Sequence, residues 1–170
     1  MTATPPDAPR IQLVVLDVDG VITDGTIVLL ASGDEPRTVH FHDLDAVGRL
    51  RRMGVGVAIL SGEDTAGSHR VAARFGIDEA VWGAKDKLSA LKDLTARLGI
   101  DLPHTCYIGD GDRDAPALTA AGIGLAPADG TPAARSAADH VLDTPGGRGA
   151  VAAAVRLLEQ LALVGPEDAQ

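Results

Sequence analysis

Three short apolar runs, each closing on a cluster of small and polar residues, constrain this chain more than any other feature. Ile11–Leu16 runs into Asp17-Val18-Asp19-Gly20, Val55–Leu60 into Ser61-Gly62-Glu63, and Thr105–Ile108 into Gly109-Asp110-Gly111. Apolar runs of this kind suit strands buried on both faces, which require helices above and below. The intervening segments supply those helices. They are expected near Asp45–Met53, Thr65–Phe75 (stopping at Gly76), Lys85–Leu98 (ending at Gly99), Ala115–Ala121, a short stretch after Pro132, and Gly149–Val164. Further short strands are expected at Ala80–Trp82, Gly122–Leu125 and His140–Leu142. Alternation of this kind predicts an α/β fold with a mainly parallel sheet and helices on both faces. Thr26–Leu30 and Arg37–His42 flank a turn-rich stretch and read as a β-hairpin inserted after the first strand.

In an open parallel sheet, ligands bind beyond the carboxyl ends of the strands. The three polar clusters all fall there. Asp17 and Asp19, two residues apart, share a face at a strand end, and Asp110 brings a third carboxylate. Carboxylates so crowded repel unless a cation lies among them or one is protonated. A hard oxygen set suits Mg²⁺, which binds through one or two carboxylates plus a substrate phosphate. Lys87 and Ser61 then hold phosphate, Asp17 attacks, and Asp19 protonates the leaving oxygen and later deprotonates water. Each residue also has a plainer reading. Asp-x-Asp after a strand serves as a helix cap or turn, Ser61-Gly62 as a turn, Lys87 as a solvated helix lysine, and Gly109-Asp110-Gly111 as a tight turn.

Composition narrows the partners. The 170 residues carry a net charge of -9 and 2% aromatics. No basic stripe with interleaved aromatics is present, which argues against a nucleic-acid partner. No segment is apolar for long enough to predict a membrane span. Met1–Pro9 has neither a basic nor an apolar signal region, and the single cysteine, Cys106, reads as a buried hydrophobe; the expectation is a cytoplasmic protein. Residues 10–164 read as a single domain between disordered ends at 1–9 and 165–170.

Asp17-Val18-Asp19-Gly20-Val21, Ser61, Lys87 and Gly109-Asp110-x-x-x-Asp114 resemble the motifs of the haloacid dehalogenase superfamily of phosphatases. Asp17 through Gly25, the hairpin, Phe41-x-x-x-Asp45 and Gly146-Gly147-Arg148-Gly149-Ala150-Val151 resemble the 3-deoxy-D-manno-octulosonate 8-phosphate phosphatase family, over about Ile11 to Leu163. The resemblance implies a Rossmann-like core without a large cap domain. It also implies a homotetramer in which the hairpin aids assembly and lies near a neighbour's site. Asp17 is then the nucleophile and Asp19 the acid/base. Mg²⁺ is bound by the Asp17 and Asp110 side chains and the Asp19 carbonyl, with Asp114 in support. The substrate that the resemblance implies is a small phosphorylated sugar acid.

Two positions depart from the pattern. Glu63 stands where these phosphatases usually have Arg and is more similar to the related nononate 9-phosphate phosphatases; Gly111 stands where a second Asp is usual. Candidate substrate contacts are Gly62, Glu63, Asp45, Arg148, and the pair Arg70 and Arg74, spaced i, i+4 on one helix face. His40 and His42 are expected to share a strand face, with Asp43 and Asp45 close by, as a weaker candidate for a transition-metal site. Alternatives are a capless phosphatase for another phosphometabolite, or an inactive tetramerisation module. Retention of Asp17, Asp19, Lys87 and Asp110 favours an enzyme.

Overall fold

The computed structural model describes residues 10–165; the expected disorder at 1–9 and over most of 165–170 lies outside the described residues. Six strands, β1 (Leu13–Leu16), β2 (Gly56–Leu60), β3 (Ala80–Val81), β4 (Thr105–Ile108), β5 (Ile123–Ala126) and β6 (His140–Val141), form one sheet in the order β3-β2-β1-β4-β5-β6. Every pairing is parallel. Successive side chains of β1 take opposite faces, as strand geometry requires. Val14 and Leu16 pack with helices α1 (Phe41–Arg52), α2 (Ala66–Phe75) and α6 (Ala150–Gln160). Leu13 and Val15 pack with α3 (Lys87–Leu98), α4 (Ala115–Ala120) and α5 (Pro132–Ala137). Val14, Val15 and Leu16 are wholly buried, and each such side chain contributes about 1.5–3 kcal/mol. The anticipated α/β architecture is therefore present, with helices on both faces. No helix among the described residues is long and apolar enough to cross a membrane.

The chain leaves β1 towards β2 on one side and later returns to β4 on the other, so the crevice between the ends of β1 and β4 is a topological switch point. Leu16 pairs with Ile108, which sets Asp17 beside Gly109 and Asp110. The Asp17 N–H donates to the Ile108 carbonyl at 3.0 Å, extending the pairing into the first motif.

Helix ends follow their local chemistry. Thr65 caps α2 by accepting from the Ser68 N–H, and Gly76 ends it in the left-handed region. Several expectations need correction. Helix α1 begins at Phe41, not near Asp45, because the His40 side chain accepts from the His42 N–H and caps it. His40 and His42 therefore do not share a strand face; their rings meet edge-on, 4.8 Å apart, at a helix start. Helix α6 ends at Gln160, not Val164, because the chain turns there and Leu163 accepts from the Ile11 N–H at 2.8 Å. The segment after the first motif does fold back on itself, with Val28 N–H bonding to Pro36 O and Leu30 N–H to Asp34 O. Neither arm is a regular strand. Pro36 lacks the donor a ladder needs at that position. Val28, Leu29 and Phe41 are left exposed at this end of the molecule.

Candidate active site

The first motif, Val18–Ile22, is a tight turn kinked at Asp19 and Gly20 and closed by the Thr23 N–H on the Val18 carbonyl at 3.0 Å, laid directly on the end of β1. Asp17 accepts from the Val18 N–H at 2.7 Å and so caps that turn. Gly20, at φ 89°, is required here: a Cβ on it would lie 2.0 Å from an Asp110 carboxylate oxygen. The glycine thus allows the first and last motifs to touch. Gly146 and Gly147 play the same part from the other side, since a Cβ on either would strike the backbone of Gly20 or of Thr23 and Asp24.

Lys87 stands at the first turn of α3, where Asp86 caps the helix. Its side chain is 3% exposed, and its ammonium lies 3.1 Å from Asp17 Oδ1 and 3.3 Å from Asp114 Oδ1 and donates to the Leu60 carbonyl at 2.7 Å. These three partners match its three donors. Lys87 is therefore not a solvated helix lysine. Asp114 is saturated as well. It accepts from the Tyr107 hydroxyl at 2.5 Å, from the Gly111 N–H at 2.9 Å and from the Asp110 N–H at 3.2 Å. Its carboxylate holds the loop bearing Asp110 against β4. Gly111, the departure from the family pattern, meets Asp114 through its backbone N–H.

Carboxylate oxygens of Asp17, Asp110 and Asp114 lie within 4.8 Å of one another. Burial, chiefly, pushes the Asp17 carboxyl up to about 7, against the attraction of Lys87 and with added repulsion from Asp114. Burial and Asp114 likewise push Asp110 up to about 6. Two carboxyls whose ionised forms burial and Asp114 disfavour make a site that a hard divalent cation relieves. Asp17 and Asp110 retain oxygens for such an ion, while those of Asp114 are already committed, so the donor set fits Mg²⁺ held by Asp17 and Asp110.

These groups open onto a cleft of about 390 Å³ lined also by Asp19, Ser61, Gly62 and Glu63. Ser61 is buried, and its Oγ accepts from the Glu63 N–H at 3.1 Å, shaping the turn after β2. Glu63 is paired with Lys85 at 2.9 Å. The remaining sequence candidates lie elsewhere. Asp45 is exposed on α1. Arg70 and Arg74 line a separate groove between α2 and the folded-back segment, where Arg74 sits over the Phe41 ring. Arg148 faces Asp24 at 3.7 Å.

Sequence reasoning missed the roles of three residues. Tyr107 supports Asp114, and its hydroxyl in a wholly buried strand was a signal that a polar partner must exist. Arg37 reaches Asp19 with Nε at 2.8 Å from Oδ1. Asp43, fully buried, accepts from the Ala152 N–H at 2.8 Å and ties α1 to the start of α6. Its second oxygen has no hydrogen-bond partner, and burial raises its pKa.

Residues 81–155 match the family model described as haloacid dehalogenase-like hydrolase. The chain is 39% identical over 141 residues to the 3-deoxy-D-manno-octulosonate 8-phosphate phosphatase of Haemophilus influenzae, covering 83% of this chain and 78% of that protein. It is 34% identical over 144 residues to the Escherichia coli K12 enzyme of the same name, covering 85% and 77%. Among solved structures, the Moraxella catarrhalis phosphatase in complex with magnesium, phosphate and KDO superposes with a TM-score of 0.86 at 35% identity, covering 91% of this chain and 88% of that one. The cobalt-bound Haemophilus influenzae phosphatase gives 0.84 at 36% identity, covering 90% of each. With its fold, its strand-end carboxylates and these relatives in agreement, the chain belongs to the 3-deoxy-D-manno-octulosonate 8-phosphate phosphatase family of haloacid dehalogenase-like hydrolases and is a phosphoric monoester hydrolase.

Proposed function

We propose that this enzyme hydrolyses the phosphate monoester of a sugar acid of the 3-deoxy-octulosonate 8-phosphate or nononate 9-phosphate type, through a phosphoryl group carried transiently on Asp17. The observation that carries the reading is the enclosed Lys87 ammonium set among Asp17 and Asp114, beside Asp110, at the switch point of the sheet. The cofactor is Mg²⁺, which when bound neutralises charge shared by the attacking carboxylate and the phosphate.

The rest is the work of side chains. Lys87 fixes the Asp17 carboxylate and offers positive charge to the incoming phosphate. An Asp17 oxygen forms a bond to phosphorus as the ester oxygen leaves, and Asp19 gives that oxygen a proton. Asp19 then takes a proton from water, which attacks phosphorus, breaks the acyl-phosphate bond and restores Asp17. Ser61 and the backbone after β2 bind a phosphate oxygen. Asp114 keeps Asp110 and Lys87 in place.

Glu63 favours the nononate type within this reading. A carboxylate at the cleft mouth, here shared with Lys85, accepts from substrate hydroxyls, whereas Arg would pair with the carboxylate that both substrate types carry. Asp45, Arg70, Arg74 and Arg148 reach substrate only from a neighbouring subunit or after rearrangement. The assembly proposed is a homotetramer of single-domain cytoplasmic subunits, in which the exposed Val28, Leu29 and Phe41 are covered and a neighbour closes the cleft. The test is a screen of phosphorylated sugars and sugar acids with Mg²⁺, reading released phosphate. Eight- or nine-carbon sugar-acid phosphates should give the highest kcat/KM. A clear preference for a neutral sugar phosphate or a nucleotide would overturn the substrate assignment.

A further inference from the structure

The Arg37 guanidinium is nearly enclosed, with 5% of its side chain exposed, although it comes from the loosely built segment after the first motif. It donates through Nε to Asp19 Oδ1 at 2.8 Å, and Nη2 lies 3.5 Å from Oδ2. The Thr23 hydroxyl donates to the same Oδ1 at 3.2 Å. On its far side Arg37 donates to the Glu35 carbonyl at 3.3 Å. It also packs on α2, where a Cβ at Gly67 would stand 2.2 Å from Nη1. The guanidinium thus fills a slot walled by Gly67, its own loop and the acid/base carboxylate.

A two-point contact fixes the plane of a carboxylate in a way one ammonium cannot. Among the described residues the one other partner of the Asp19 carboxylate is Thr23, on the same Oδ1, which leaves Oδ2 to Arg37 alone, and the side chain is 29% exposed at the cleft. Without Arg37 its torsions are free to carry the oxygens away from the ester oxygen.

We propose that Arg37 is a positioning residue for the acid/base Asp19, and that Gly67 is the gap in α2 that lets it stand there. The folded-back segment then serves the chemistry of its own subunit, besides any part in assembly. The inference rests on the proposed proton-transfer role of Asp19, and the test separates the two.

Two phosphate esters are compared by kcat/KM, which reports steps up to the first bond cleavage. One is an alkyl sugar-acid phosphate, whose leaving oxygen needs a proton. The other is p-nitrophenyl phosphate, whose leaving group departs as a stable anion. Arg37→Met should lower kcat/KM for the alkyl ester by roughly 10- to 100-fold, the scale expected when a reacting group is misplaced. The aryl ester should change by less than about threefold, and Arg37→Lys should recover part of the loss, because one donor remains. Gly67→Ala, which keeps Arg37 but displaces its guanidinium, should reproduce the selective loss in a protein whose fold is not in question.

Asp19→Asn is the reference and should show the same selectivity, more strongly. If it loses both esters equally, Asp19 is not the proton donor, and the inference falls with that role. If Asp19→Asn is selective while Arg37→Met and Gly67→Ala lose both esters equally, or neither, Arg37 does not position Asp19. A rise in activity on replacing Arg37 would also overturn it and make the contact inhibitory. In urea unfolding of the metal-free protein, the effects of Arg37→Met and Asp19→Asn should fail to add. Additive effects would deny the pairing.

Discussion

The hydroxyl of Tyr107 offers the cleanest perturbation of the site, because it can be removed without altering the shape of β4. Tyr107 is fully buried, faces α3 and α4, and makes one side-chain hydrogen bond, to Asp114 Oδ1 at 2.5 Å. In Tyr107→Phe the ring stays and Asp114 loses one donor. A hydrogen bond to a charged acceptor contributes about 1.5–3 kcal/mol. Lys87 still faces the same oxygen at 3.3 Å, which places the expected loss near the middle of that range, about 2 kcal/mol. For a chain of this length that is a fall in Tm of roughly 4–8 °C. Because Asp114 also holds the N–H groups of Asp110 and Gly111, the Mg²⁺ midpoint should rise by about tenfold, the lower end of the effect of removing outer-shell support. The assay is urea unfolding of Tyr107→Phe, Asp114→Asn and the double variant in EDTA, with a Mg²⁺ titration of activity alongside. The cycle should give a coupling of about 1–2 kcal/mol. A destabilisation below about 0.5 kcal/mol with an unchanged Mg²⁺ midpoint would refute the claim that this hydroxyl supports the metal loop.

Three further outcomes are expected. Because the folded-state pKa values of Asp17 and Asp110 are raised to about 7 and about 6, the folded protein binds more protons than the unfolded chain above about pH 4; metal-free stability should fall as pH rises from about 4 to 7. Saturating Mg²⁺ should therefore raise Tm more at about pH 8, by roughly 5–10 °C at a hundred times Kd, than at about pH 5, and an increment that is larger at the acid end would contradict the metal assignment. Gly20→Ala combines a left-handed backbone with a collision at Asp110; calorimetry should register a loss of about 2–3 kcal/mol with greatly weakened Mg²⁺ dependence, and a near-neutral result would mean that the motifs do not need this close approach. Replacing residues 26–40 by a short Gly/Ser loop should yield a smaller folded species with poor activity, as the proposed tetramer and the Arg37 contact both require, and full activity in a monomer by light scattering would sink both.

The sequence made the sheet and its carboxylates readable because both depend on near neighbours along the chain. Asp17 and Ser61 follow an apolar run directly, and Asp110 follows one after a single glycine, so placing the strands places the residues. Helices with strong ends, such as α2 between Thr65 and Gly76, were legible for the same reason. Val39 to His42 alternates like a strand, yet His40 offers its ring to the His42 N–H and a helix begins; a cap made by a histidine is a faint signal. Arg70 and Arg74 do share a helix face, but which groove they meet depends on the path of a segment with few ladder bonds. Arg37 and Asp19 are eighteen residues apart and meet only because Gly67, on a third element, leaves room. Contacts of that sort are properties of the fold, and no local pattern announces them.

The central claim is that Asp17 itself carries the phosphoryl group. The direct measurement is to quench the enzyme in acid during turnover with Mg²⁺, reduce it with borohydride, and locate the modified residue by mass spectrometry. An acyl-phosphate on Asp17 is reduced to homoserine, so homoserine at position 17 in the wild type, absent from Asp17→Asn and from enzyme without substrate, is the expected result. Turnover by Asp17→Asn should fall by several orders of magnitude. Homoserine at another acidic residue, or an Asp17→Asn variant that keeps about a tenth of wild-type turnover, would contradict the account.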